Sequence, residues 1–248
     1  MKNSSEKHQN LLDELYLEYL ETVIIGNPKL IEGIFDGSIS SPHLINASVP
    51  SGGYEEADFK IVFVGKESNG WFNTDERIAA GIAGPPLASA SYLTALKDLY
   101  LNFNLGAEYN TSIYQFIRMV RDGTSTEKIK AGYLLTNLLR IDSMGKPSPG
   151  VEEDVTIKSN YILSSEIEIL NPGAVVFLSG PSYDYLIEKT YPGSKFTEVP
   201  GFATSEFSQI RHEKLPEKTV RVYHPDYHKY KGPEYRHDLA KAICNILR

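Results

Sequence analysis

The chain has 248 residues, enough for a sizeable buried core in one large domain or two small ones. Its 41% apolar and 23% charged content is that of an ordinary globular protein, and its single cysteine excludes an internal disulfide framework. The net charge of −7 argues against a uniformly basic, polyanion-binding surface. That charge is unevenly spread. From Arg211 to Arg248 there are nine Lys/Arg against five Asp/Glu, a net of +4, and the rest of the chain carries −11. Four of the six His, His212, His224, His228 and His237, lie in this same segment. A local basic face there suits a polyanion; equally, a basic C-terminal helix can simply balance its own dipole. The polar opening MKNSSEKHQN has no apolar signal stretch, and no run reaches the length of a membrane span. The cytoplasm is the expected compartment, with no membrane partner.

Residues 6–24 place Leu11, Leu12, Leu15, Leu17, Tyr19, Leu20 and Val23 at helical spacing among Glu and Asp. Asn27-Pro28 breaks this helix, and a shorter one follows from Pro28 to Phe35. Residues 36–57 are rich in Ser, Gly and Pro and read as a lead-in loop. Four apolar runs come next: Phe59–Gly65, Gly132–Leu139, Ala174–Gly180 and Thr219–His224. Several are nearly continuous, the pattern of strands buried on both faces. Helical stretches separate them at Ala88–Asn104, Ser112–Val120, Ser159–Leu170 and Ser182–Thr190, and a last helix spans Pro233–Leu247. Alternating strands and helices predict a three-layer α/β/α sandwich around a central four-stranded, mainly parallel sheet. The expected organisation is one structural domain: residues 1–57 as helices and lead-in loop packed on a core of residues 58–248.

Ligands of such sheets bind beyond the carboxyl ends of the strands. Gly65-Lys66-Glu67-Ser68-Asn69-Gly70-Trp71 follows the first strand. Gly65 and Gly70 let the backbone turn and approach a ligand. Glu67 can polarise a water, Asn69 can hydrogen-bond a ligand, and Trp71 offers a stacking face. Neither GxGxxG nor a Walker A spacing is present. Asn137 interrupts the second apolar run, a place where an amide needs partners and where its donor and acceptor suit the edge of a base. His224-Pro225-Asp226-Tyr227-His228 follows the last strand. Pro225 holds His224 extended at the strand end. There an imidazole can donate to an oxygen that gains charge as a bond breaks. The close spacing disfavours a shared ion, so no metal is expected. Ser182 reads as a helix N-cap and Cys244 as core packing. A Ser-His-Asp hydrolase would need a G-x-S-x-G elbow, and none exists.

Taken in order, these segments resemble the uracil-DNA glycosylase superfamily over roughly residues 58–247. Val64-Gly65-Lys66-Glu67-Ser68-Asn69 is similar to the family's first motif, and Glu67 falls where its best known branch has a water-activating Asp. Leu134-Leu135-Thr136-Asn137-Leu138-Leu139 is similar to the strand whose Asn reads uracil. Asn171-Pro172-Gly173 with the strand that follows is similar to the third unit. His224-Pro225 matches the start of the final His-Pro-Ser motif. The departures are Ser68 in place of a loop-shaping proline and Asp226 in place of a phosphate-contacting serine. Tyr227 and His228 occupy the region of the duplex-opening wedge. Trp71 and Phe72 are near enough in sequence to stack on a flipped base.

The resemblance implies hydrolysis of the N-glycosidic bond of a damaged or deaminated base such as uracil in DNA. Glu67 and His224 would be catalytic. Gly65, Lys66, Ser68, Asn69, Trp71, Asn137 and Tyr227 would bind substrate. No cofactor is implied, DNA carrying a modified base is the expected partner, and a monomer is the expected state. Two other readings remain open: an inactive nucleobase- or nucleic-acid-binding protein on the same fold, and a hydrolase of a small metabolite. All three place Glu67, Asn137 and His224 at one rim of the sheet as an expectation.

Overall fold

The computed structural model describes residues 3–48, 53–68, 90–105, 111–143, 152–227 and 232–248. The chain divides into two compact units. One takes Met1–Ser48, Lys66–Phe103 and Thr136–Leu170; the other takes Val49–Gly65, Asn104–Leu135 and Asn171–Arg248.

In the first unit, helix α1 (Asn3–Tyr19) runs into a π-helical turn, Leu20–Ile25. Leu12, Leu15, Tyr16, Tyr19 and Leu20 recur on one face of the helix and all are buried. Helix α2 (Pro28–Asp36) has end signals that can be read from its sequence. The Asn27 side chain accepts from the Lys29 N–H at 3.2 Å, Pro28 takes the first helical position, and Gly37 ends the helix at φ +81°. Helix α3 (Ala90–Leu105) buries Tyr92, Leu93, Leu96 and Tyr100. The stretch 38–48 contains no helix or strand, in keeping with a lead-in loop.

The sheet lies in the second unit, apart from the last two residues of β2. Its strands are β1 (Phe59–Gly65), β2 (Ala131–Asn137), β3 (Ala174–Phe177), β4 (Lys195–Glu198), β5 (Phe207–Arg211) and β6 (Lys218–Val222). Their order across the sheet is β2-β1-β3-β6-β5-β4. The β1–β3 and β3–β6 pairs are parallel, with Val62 opposite Val175 and Val176 opposite Val220. The β6–β5 and β5–β4 pairs are antiparallel. The fold is therefore α/β, but the expected four-stranded sheet is corrected to a six-stranded mixed one. The two extra strands were missed because Lys195–Glu198 and Phe207–Arg211 are short and polar, and β4 is largely exposed at the sheet's edge.

Phe63, Val64, Val175, Val176, Phe177, Val220 and Val222 are fully buried along the central strands. Each such side chain contributes about 1.5–3 kcal/mol relative to exposure. Helix α4 (Ser112–Thr124) packs on the last helix, Pro233–Leu247, which also contacts β6. A Cβ on Gly123 of α4 would come within 2.7 Å of Cys244 Sγ, so this glycine admits the thiol. Burial pushes the thiol's pKa up, which suits the packing role expected of Cys244.

Helix α5 (Glu152–Leu170) belongs to the first unit, where it packs along α1; it starts earlier than the expected Ser159. Ser182 does not cap a helix. Gly180, at φ +69°, and Pro181 open a 3₁₀ turn, Pro181–Tyr183, that contains it. Helix α6 (Asp184–Thr190) then begins after Tyr183 without a side-chain cap. The Asp184 carboxylate instead takes both prongs of the Arg221 guanidinium at 2.9 Å each. Arg221, buried on β6, also donates to the Ser205 and Thr204 carbonyls.

Candidate functional site

In the first unit, the segment after β1 lies beside the segment after β2. The Leu139 N–H donates to the Lys66 carbonyl at 2.8 Å. Glu67 is half-buried next to that bond, and Asn137 ends β2 at only 8% exposure. All seven residues of β2 are buried, so an amide at its end is held by a rigid strand rather than by a loop. Lys66, Glu67 and Asn137 thus come from two segments joined at the backbone. Gly65 is the buried last residue of β1.

Ser68 is also buried, and its environment is specific. Its hydroxyl donates to Asp142 Oδ2 at 2.8 Å and lies 2.8 Å from Ser40 Oγ. Ser40 Oγ accepts from the Asp142 N–H at 2.9 Å, and the Ser40 N–H donates to the Asp142 carbonyl at 2.8 Å. One residue group further in, the His43 N–H donates to the Arg140 carbonyl at 2.8 Å. His43 packs edge-on against Tyr100, with ring centroids 5.4 Å apart. Burial, reinforced by the Arg140 charge, lowers its pKa to about 3, so the ring is neutral near neutral pH.

Beneath this layer lies a wholly buried ion pair. Arg140 donates to Glu166 Oε2 at 2.6 Å, and neither side chain has any exposure. Tyr16 donates to Glu166 Oε1 at 2.6 Å, Thr136 donates to Oε2 at 3.2 Å, and Arg140 also donates to the Thr136 hydroxyl. Burial pushes the Glu166 carboxyl up, while the guanidinium and these donors pull it down. Burial likewise raises Tyr16 well above its usual value, with the Glu166 charge adding to it. Sequence reasoning missed Ser40, Asp142, Arg140 and Glu166. The one available signal was the charged pair Arg140 and Asp142 directly after the apolar Leu138-Leu139, where solvated residues would be usual.

In the second unit, the ends of β1, β3 and β6 are tied together. The Leu178 N–H donates to the Val64 carbonyl at 2.8 Å, and the Gly180 N–H to the Val222 carbonyl at 2.9 Å. A Cβ on Gly180 would lie 2.9 Å from the Tyr223 ring, so the missing side chain lets that ring lie on the backbone. His224 follows, half-buried, and its Nδ1 accepts from the Asp226 N–H at 3.3 Å within the turn Pro225–Tyr227. A neutral imidazole that accepts at Nδ1 carries its proton on Nε2, the form needed to donate to an oxyanion. Asn69, Trp71, Phe72 and His228, together with the Tyr227 side chain, lie outside the described residues.

Among the described residues, no group of three or more His, Cys, Asp or Glu is placed to hold a metal, and no helix is long and apolar enough to cross a membrane. No family model matches the sequence, and no curated protein matches it.

Proposed function

We propose that this protein hydrolyses the N-glycosidic bond of a damaged or deaminated base in DNA, as a distant relative of the uracil-DNA glycosylases. The observation that carries this reading is Asn137: a buried amide at the end of a fully buried strand, beside the backbone that bears Glu67. An amide carries one acceptor and two donor hydrogens, and the edge of a nucleobase offers the matching donor and acceptor.

Breaking the glycosidic bond builds positive charge on the sugar and negative charge on the departing base. In this reading Asn137 selects the base and Glu67 accepts a hydrogen bond from the attacking water. The water oxygen bonds to the anomeric carbon as the carbon–nitrogen bond breaks, one water proton passes to the Glu67 carboxylate, and the bonding pair leaves with the base. His224, with its proton on Nε2, donates to the base oxygen that gains charge. Gly65, Lys66, Asn69, Trp71 and Tyr227 are proposed to bind substrate. The base must first leave its stack, at a cost of a few kcal/mol. The +4 segment from Arg211 onward would supply phosphate contacts that the rest of the chain does not.

A second reading is binding of a modified base without cleavage. Asp226 favours it, because a carboxylate two residues beyond His224 repels a phosphate. One experiment separates the two. The protein is incubated with single- and double-stranded oligonucleotides carrying uracil, hypoxanthine, xanthine or an oxidised pyrimidine, and abasic sites are revealed by alkaline cleavage. Cleaved strand supports hydrolysis. Intact strands from every substrate at stoichiometric protein overturn it, and retention of one modified strand in that case supports binding alone.

A further inference from the structure

We propose that Ser68 is a positioning residue, which closes a hydrogen-bonded ring that locks the segment bearing Glu67 onto the segment that follows Asn137. The proton count fixes the direction of each bond. Ser68 has one hydroxyl proton, and a carboxylate oxygen, Asp142 Oδ2, accepts it at 2.8 Å. The 2.8 Å contact between Ser40 and Ser68 must then be donated by Ser40. Ser40 Oγ in turn accepts from the Asp142 N–H at 2.9 Å. The ring leaves Asp142 through its amide, passes through two hydroxyls and returns to its carboxylate. Ser40, Ser68 and Asp142 are all buried, at 1%, 8% and 0% exposure, so solvent does not compete for these bonds.

Three stretches far apart in sequence meet in this ring. The 38–48 stretch has no regular structure, yet it is held to the third segment at the backbone by Ser40 to Asp142 and by His43 to Arg140. The segment after β1 is held to it at the backbone by Leu139 to Lys66. Ser68 is the only one of the described residues 66–68 whose side chain is fixed in this ring. Its hydroxyl is therefore engaged with protein on both sides. This moves it from the expected substrate contact to a residue that acts through its neighbour Glu67. The kinetic part of the inference rests on the proposed hydrolysis; the mechanical part does not.

The test uses the full chain with Ser68→Ala, Ser40→Ala and Ser68→Thr, and two measurements. The first is amide hydrogen exchange at Leu139, whose N–H joins the two segments, with Leu134 in mid-strand as the control. The second is steady-state base release on whichever oligonucleotide the wild type cleaves. Either alanine variant should speed exchange at Leu139 about tenfold and leave Leu134 unchanged. It should lower kcat about tenfold with little change in KM, and Ser68→Thr should restore both. Unchanged exchange at Leu139, or equal acceleration at Leu134, overturns the ring as a local lock. Faster exchange at Leu139 with unaltered kcat overturns the positioning role. A wild type that releases no base defeats the proposed hydrolysis, and the exchange result still decides the lock.

Discussion

The Arg140 guanidinium lies 2.6 Å from the Glu166 carboxylate, and both side chains are completely sealed from solvent. Desolvating two charges costs several kcal/mol, so the pair is stable only because Tyr16 and Thr136 also donate to the carboxylate. Removing the cation alone should cost about 3–5 kcal/mol. Glu166→Gln should cost less than Arg140→Met, because burial already pushes this carboxyl toward its neutral form. The sign follows from that direction. A carboxyl raised above 4.5 favours the fold in its protonated state, so Arg140→Met should lose further stability as pH rises from about 4.5. Urea unfolding of both variants across pH checks the order and the slope. Equal costs, or a slope of the opposite sign in Arg140→Met, would contradict an upward push of burial on this carboxyl.

His43 gives a second pH dependence. Its folded pKa is depressed to about 3 from 6.5, so the neutral ring stabilises the fold above pH 6.5. Below 6.5 the unfolded chain takes up a proton that the folded chain refuses. Stability should fall by about 1.4 kcal/mol per pH unit until the folded value is reached. His43→Phe keeps a ring against Tyr100 and cannot titrate. Its stability between pH 6.5 and 4.5 should be flatter than wild type by about 2–3 kcal/mol over that span. Parallel curves for the two proteins would mean that this ring is solvated.

Gly180 occupies φ +69° with extended ψ, a region open essentially to glycine alone. An alanine there would also set its Cβ 2.9 Å from the Tyr223 ring. Gly180→Ala should destabilise by about 2–4 kcal/mol, from strain and from displacement of Tyr223 next to His224. Thermal unfolding measures the cost. A change under about 0.5 kcal/mol would mean that the turn relaxes freely.

The strands of the sheet's centre were legible because burial on both faces writes itself as continuous apolar sequence. Phe59–Gly65 was read with its observed ends, and the other three predicted runs overran the observed strands by two or three residues. The overruns fall at Leu138-Leu139, Leu178-Gly180 and Tyr223-His224, where the chain leaves the ladder yet stays largely buried. Apolar pattern reports burial rather than pairing, so it could not mark those ends. Strand β4 carries no such pattern because Lys195–Glu198 is mostly solvated, and β5, though mostly buried, places Ser208 and Gln209 between Phe207 and Ile210. At the site, Asn137 was legible because a polar residue interrupts an apolar run. Ser40, Asp142 and Glu166 were not, because their roles come from partners 26 to 150 residues away. No local period encodes such pairs.

Glu67→Gln and His224→Ala should each slow base release. At His224, loss of one oriented donor in a dry site costs about 3–4 kcal/mol of barrier, or roughly a hundred- to a thousandfold in rate; at Glu67, loss of a general base costs roughly a hundred- to ten-thousandfold. Both side chains are half-buried, so the folds should persist. Single-turnover rates with circular dichroism as the folding control check this. Wild-type rates in either variant would remove that residue from the chemistry.

In the proposed reaction, the buried amide at the end of β2 selects a base that is then cut from its sugar. This selection is tested most directly by single-turnover base release, measured by mass spectrometry across a panel of modified bases, for wild type and Asn137→Ala. The prediction is release of at least one base by the wild type, and a drop of about a hundredfold in the variant for that base. No free base from the wild type on any substrate, or the same rates in both proteins, would contradict it.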